Sequence, residues 1–270
     1  PPNWPDVNST LACDAFPLVH LLTLESKDPR FVELQKKLQE FDTSSEYEIF
    51  SVQAIYNSCL YSKYQWKKDM MISRNIYFND VYIKTDPTFP NEQMLYHGCK
   101  SVDPIEIVSG EFGLDVRMAS DQNFWGRGVY FCDNPMYAIN GGYVFESSNP
   151  VSLRGENHNT KIYQLLVCNV LTGESFSTEC HKYGPLRKTT IAPEMNHSIW
   201  KRRRSKNSPS QENLFLDLRY DSVCGKTYAS PSRALASSSE FLQTSFNTAV
   251  YDSSQIYPSF ILSLVRRNKK

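Results

Sequence analysis

Three stretches of the chain end strand-like runs in residues that could meet a ligand. The first, Met94-Leu95-Tyr96-His97-Gly98-Cys99, is an apolar run closing on histidine and glycine. A backbone without a Cβ lets a flat ligand lie against the peptide; the histidine beside it could contact that ligand or serve as a structural hydrogen-bonder. In the second, Gly126-Arg127-Gly128-Val129-Tyr130-Phe131, glycines deliver an aromatic on a strand. A turn and helix start, Asp133-Asn134-Pro135-Met136-Tyr137-Ala138, come next, followed by Tyr143. The third runs from Asn247 to Pro258 and joins a β-branched strand, through a turn, to a last strand, PSFILSLV.

The familiar nucleotide motifs are excluded. Gly126-Arg127-Gly128 opens like a dinucleotide fingerprint, but Phe131 holds the third glycine position and a strand follows where a helix is required. Gly225-Lys226-Thr227 resembles the tail of a phosphate loop, yet Tyr220 stands where its leading glycine belongs. The chain has neither a GxSxG elbow nor an HExxH pair.

The elements that must position these residues can be read from spacing. Asp28-Pro29 is a helix N-cap with proline at the first helical position, and Phe31, Leu34, Leu38 and Phe41 then recur at helical intervals. Tyr47, Ile49 and FSVQAI read as a strand, and Leu60, Tyr61 and Tyr64 share one face of a helix ending near Arg74. From Met94 the texture becomes sheet-rich: MLYH, GVYF, IYQLLVCNVL, NTAVYD and PSFILSLV. Residues 174–245, rich in Ser, Lys, Arg and Pro, read as long loops or an insertion within one domain spanning 1–270.

Bulk composition narrows the partners. Balanced charge, 29 basic against 29 acidic residues, gives no global field toward nucleic acid or a membrane surface. The run Lys201-Arg202-Arg203-Arg204 is a short local exception that reads as a solvated loop or a nuclear-import or nucleic-acid patch. Seven cysteines without CxxC spacing read as reduced thiols and exclude a recognisable zinc site. With no apolar run of membrane-spanning length, the reading is of an intracellular domain, nuclear or cytoplasmic, without membrane association. The sequons at Asn8 and Asn196 carry little weight.

In this order and spacing the motifs resemble the catalytic domain of the poly(ADP-ribose) polymerase family, over most of the chain. The segment VQAIYNSCLYSKYQWKKDMM also resembles that family's helix with Asn, Tyr and Lys-x-x-Met in register. The resemblance implies an α+β ADP-ribosyltransferase fold: two packed, mostly antiparallel sheets with helices at the N-terminal side. It implies NAD as co-substrate, no metal, and protein side chains as acceptors. Carried over residue by residue, His97 donates to a hydroxyl of the adenosine ribose, and Gly98 bonds the nicotinamide carboxamide through its backbone. Tyr130 and Tyr143 sandwich the nicotinamide ring.

Three positions depart from the family pattern. Eight residues before Gln255 stands Asn247, where polymer-forming members carry a glutamate. Asparagine keeps hydrogen bonding but loses the charge that stabilises a developing cation. Ala138 replaces a serine that bonds the carboxamide, and Cys99 replaces a Ser or Thr that contacts ribose. With His97, Tyr130 and Asn247 as the catalytic set, the resemblance implies a mono-ADP-ribosyltransferase modifying protein side chains; the other reading is an inactive pseudoenzyme serving as a binding or scaffold module.

Overall fold

The computed structural model describes residues 19–79, 89–120, 123–147, 161–178, 219–228 and 244–267. Three of its helices begin on the same chemical device, an Asp or Asn followed by proline. Helix α1 (Pro29–Phe41) is capped by Asp28, whose carboxylate accepts the Arg30 N–H at 2.9 Å. Helices α3 (Pro104–Ser109) and α4 (Pro135–Asn140) are capped in the same way by Asp103 and Asn134. Each cap satisfies an orphan donor while proline pre-sets the first φ. On α1 the expected stripe faces inward: Leu34 and Leu38 are buried, and Phe31 and Phe41 flank them. Helix α2 (Ser58–Asn79) buries Leu60 and Tyr64 but continues past the expected end near Arg74, since no glycine or proline interrupts it there.

Among the described residues ten strands form the sheet: β1 (His20–Thr23), β2 (Tyr47–Tyr56), β3 (Glu92–His97), β4 (Val129–Cys132), β5 (Phe145–Ser147), β6 (Ile162–Leu171), β7 (Ser175–Ser177), β8 (Ser222–Tyr228), β9 (Thr244–Val250) and β10 (Ile256–Arg266). Their order is β1-β2-β10-β6-β3-β4-β9-β8-β7, with β5 also paired to β6. All pairings are antiparallel except β7 with β8. The run IYQLLVCNVL is apolar almost throughout because both faces of β6 are covered. Leu165 and Val167 point to the side carrying α1 and α4, while Leu166, Cys168 and Val170 point to the side carrying Val108 of α3.

The α+β class is as expected, but two details differ. Of the four helices among the described residues, two, α3 and α4, lie in the middle of the chain instead of its N-terminal part. The two sheets are one hydrogen-bonded path, although barely so. The five strands ending at β3 meet the four beginning at β4 through a single residue pair, Tyr96 opposite Cys132. By contrast, β3 pairs with β6 along its whole length from Glu92 to His97. The stretch read as loops over 174–245 contains β7 and β8, and Gly225-Lys226-Thr227 lies within β8. That strand is held by burial of Val223 and Cys224 between its neighbours, a long-range effect that local composition does not reveal. The basic run at 201–204 and both sequons lie outside the described residues. Among the described residues, no helix is long and apolar enough to cross a membrane.

Candidate functional site

Where the β3–β4 ladder stops after one rung, the structure opens a cavity of about 690 Å³, within the range of small-molecule sites. His97, Gly98, Cys99, Tyr130, Ala138, Tyr143 and Asn247 all line it. These seven residues come from the end of β3, from β4, from α4 and the turn after it, and from β9. Gly98 and Gly128, with the strand ends noted in the sequence, are thus brought to the same cavity.

His97 does two things at this joint. Its Nδ1 lies 2.8 Å from the Tyr130 carbonyl; since a carbonyl can only accept, Nδ1 must carry the proton. Burial lowers the pKa of the ring, favouring the neutral form. A neutral imidazole protonated on Nδ1 leaves Nε2 as an acceptor. His97 therefore faces the cavity as an acceptor at Nε2, not as the donor that the resemblance implied. The same side chain also ties β3 to β4 where the backbone ladder has ended.

Each of the two tyrosines is backed by a second aromatic. Trp125 stacks on Tyr130, with ring centroids 5.7 Å apart and planes 17° from parallel. The Tyr130 hydroxyl accepts the Trp125 backbone N–H at 2.6 Å and donates to the Gly126 carbonyl at 3.2 Å. Tyr137 lies against Tyr143 at 5.9 Å and 28°. Neither Trp125 nor Tyr137 was among the expected site residues; their signal was an aromatic a few residues from each motif tyrosine.

Gly98 has a packing reason to be glycine. A Cβ there would come within 2.7 Å of the Tyr143 Cβ, and the Lys100 N–H donates to the Tyr143 carbonyl at 2.7 Å. The turn after β3 and the backbone of Tyr143 are thus seamed together. Gly98→Ala is expected to force this seam apart, lowering the melting temperature by several degrees, since overpacking costs about 1–3 kcal/mol. Calorimetry checks it; a variant that melts with the wild type would mean the seam can yield.

Asn247 is 6 % exposed and sits on β9 between Cys132 of β4 and Gly225 of β8. Its Oδ1 has no hydrogen-bond partner among the described residues. A buried acceptor left unpaired is costly, and a ligand hydroxyl entering the cavity would relieve it. Burial pushes the Cys99 thiol up to about 12, so it lines the wall as a neutral group. Among the described residues, Asp115 is the one carboxylate lining the cavity. It caps a short turn and is held by the Arg117 guanidinium at 2.6 Å, which keeps its carboxyl below the usual range.

Comparison with known families matches residues 30–265 to the poly(ADP-ribose) polymerase catalytic domain. A Dictyostelium discoideum protein described as a probable poly [ADP-ribose] polymerase is 26% identical over 157 residues, 58% of this chain. The chain spans 40% of that relative's length.

Proposed function

From the premise that the chain belongs to the poly(ADP-ribose) polymerase catalytic-domain family, we propose that it transfers a single ADP-ribose from NAD to a side chain of an acceptor protein. The observation that carries this reading is the unpartnered Oδ1 of Asn247, buried in the wall of the same cavity as His97, Tyr130 and Tyr143. A cavity kept only for packing would gain nothing from an orphaned acceptor. A ribose supplies hydroxyls that this oxygen and His97 Nε2 can accept from.

In this reading Tyr130 and Tyr143 hold the nicotinamide ring between their faces, and the Gly98 backbone orients its carboxamide. The C1′–N bond of NAD breaks with its electron pair leaving on nicotinamide. A nucleophilic oxygen of the acceptor forms the new bond to C1′, and any proton it carried passes to solvent. Asn247 orients the ribose hydroxyls but supplies no charge to the cation that develops at C1′. Acidic acceptors suit such a site, because an attacking Asp or Glu brings the missing negative charge itself.

A second reading, a non-catalytic binding module, is favoured by specific features. Ala138 offers no hydroxyl, Asn247 no charge, and Asp115 is already committed to Arg117. Thermal-shift titration with NAD and with benzamide tests the primary reading, because a ligand that binds only the native state must raise the melting temperature. We expect a dose-dependent rise with both. No shift at millimolar ligand would remove the NAD site and leave the binding module.

A further inference from the structure

Lys100 stands at the cavity mouth immediately after the His97-Gly98-Cys99 turn. Its backbone is in the left-handed region, with φ 53°, a conformation a non-glycine residue holds only where its surroundings impose it. The hydrogen bond from its N–H to the Tyr143 carbonyl is what imposes it here. As a result the exposed side chain starts beside Tyr143 and places Nζ 5.3 Å from the centre of that ring. Among the described residues, Lys100 is the only lysine or arginine lining the cavity.

We propose that Lys100 selects for the dinucleotide by exchanging partners: its ammonium leaves the face of Tyr143 as the ligand enters and pairs with the diphosphate. The inference rests on the NAD reading of the cavity. An exposed cation–π contact is weak, and the nicotinamide ring of NAD is itself cationic. Two cations do not share one aromatic face. The same ligand brings two phosphate charges to a cavity whose described lining offers a single lysine or arginine, and an ammonium on a flexible stem is a competent phosphate partner. A neutral nicotinamide mimic meets the opposite situation, since it must displace Lys100 and provides no anion in return. Loss of Lys100 therefore separates the two ligand classes.

Isothermal titration of ADP-ribose and of benzamide into wild type and Lys100→Ala, at low and at high salt, reads the exchange. ADP-ribose is expected to bind the variant about tenfold more weakly at low salt, the scale of one charge-assisted hydrogen bond. That difference shrinks at high salt, benzamide binds as well or more tightly, and Lys100→Arg restores ADP-ribose binding. Unchanged ADP-ribose affinity in Lys100→Ala, or an equal loss of both ligands, overturns the assignment. A wild type that binds neither ligand removes the nucleotide site itself, and this role with it.

Discussion

Asn247→Glu is expected to accelerate nicotinamide release from NAD by about a hundredfold, while the wild type leaves only single ADP-ribose additions on its acceptors. A full charge about 4 Å from a developing cation contributes roughly 4 kcal/mol at an effective dielectric near 20. An amide dipole contributes a fraction of that. At about 1.4 kcal/mol per factor of ten, the difference amounts to two to three orders of magnitude, and we take the lower value because part of the charge is screened. Burial at this position, between β4 and β8, raises the pKa of an introduced carboxyl. The gain should therefore grow as the pH is raised. Asn247→Gln, with the same added length and no charge, is the control. Nicotinamide release at saturating NAD, with product length read on a gel, decides the matter. Equal rates in the Glu and Gln variants, or long polymer from the wild type, would sink the assignment of Asn247.

His97 offers the second large effect, in which stability and binding can be separated. His97→Ala leaves the Tyr130 carbonyl unpaired at a joint held by one ladder rung. An orphaned carbonyl costs about 1–3 kcal/mol, so several degrees of melting temperature should be lost along with NAD affinity. His97→Asn places an amide nitrogen where Nδ1 was, at the same number of bonds from the backbone. It should melt near the wild type and still bind NAD about tenfold more weakly, because nothing replaces Nε2. The pH dependence adds a signature. The folded-state pKa of His97 lies below its ordinary value of about 6.5, so in that window the unfolded chain binds a proton that the folded chain does not. Its contribution to stability is present above the unfolded pKa and is lost as pH falls toward the folded one. The Asn variant should show a flatter acid limb. An Asn variant that melts as low as the Ala variant would refute the bridging role of the imidazole.

Much of this architecture was legible because local signals agreed with long-range ones. The β6 run was visible in full since a strand covered on both faces is apolar at nearly every position. Helix α1 announced itself by its cap and its stripe. The same Asp-Pro device stood at Asp103-Pro104, and α3 was there to be read from it. Strand β8 was not: Ser222, Lys226 and Thr227 look like loop residues, and only pairing with β7 and β9 makes them a strand. At the site, residue types pointed to positions that line one cavity, but not to their internal ties. That His97 grips a carbonyl 33 residues away, or that Lys100 lies over Tyr143, depends on backbone geometry between elements, which no single motif encodes.

The lone rung between Tyr96 and Cys132 also governs how the molecule yields under load. Elsewhere the sheet resists bending through ladders of several rungs, as in the six-residue pairing of β3 with β6, but along this line, among the described residues, the ties fall to one backbone pair, one imidazole and the Cys132 thiol that donates to the Tyr96 carbonyl. A small rotation of one half against the other strains few bonds. The cavity therefore lies along the line with the fewest backbone rungs among the described strands, where a change of width strains fewer backbone hydrogen bonds than it would elsewhere in the sheet.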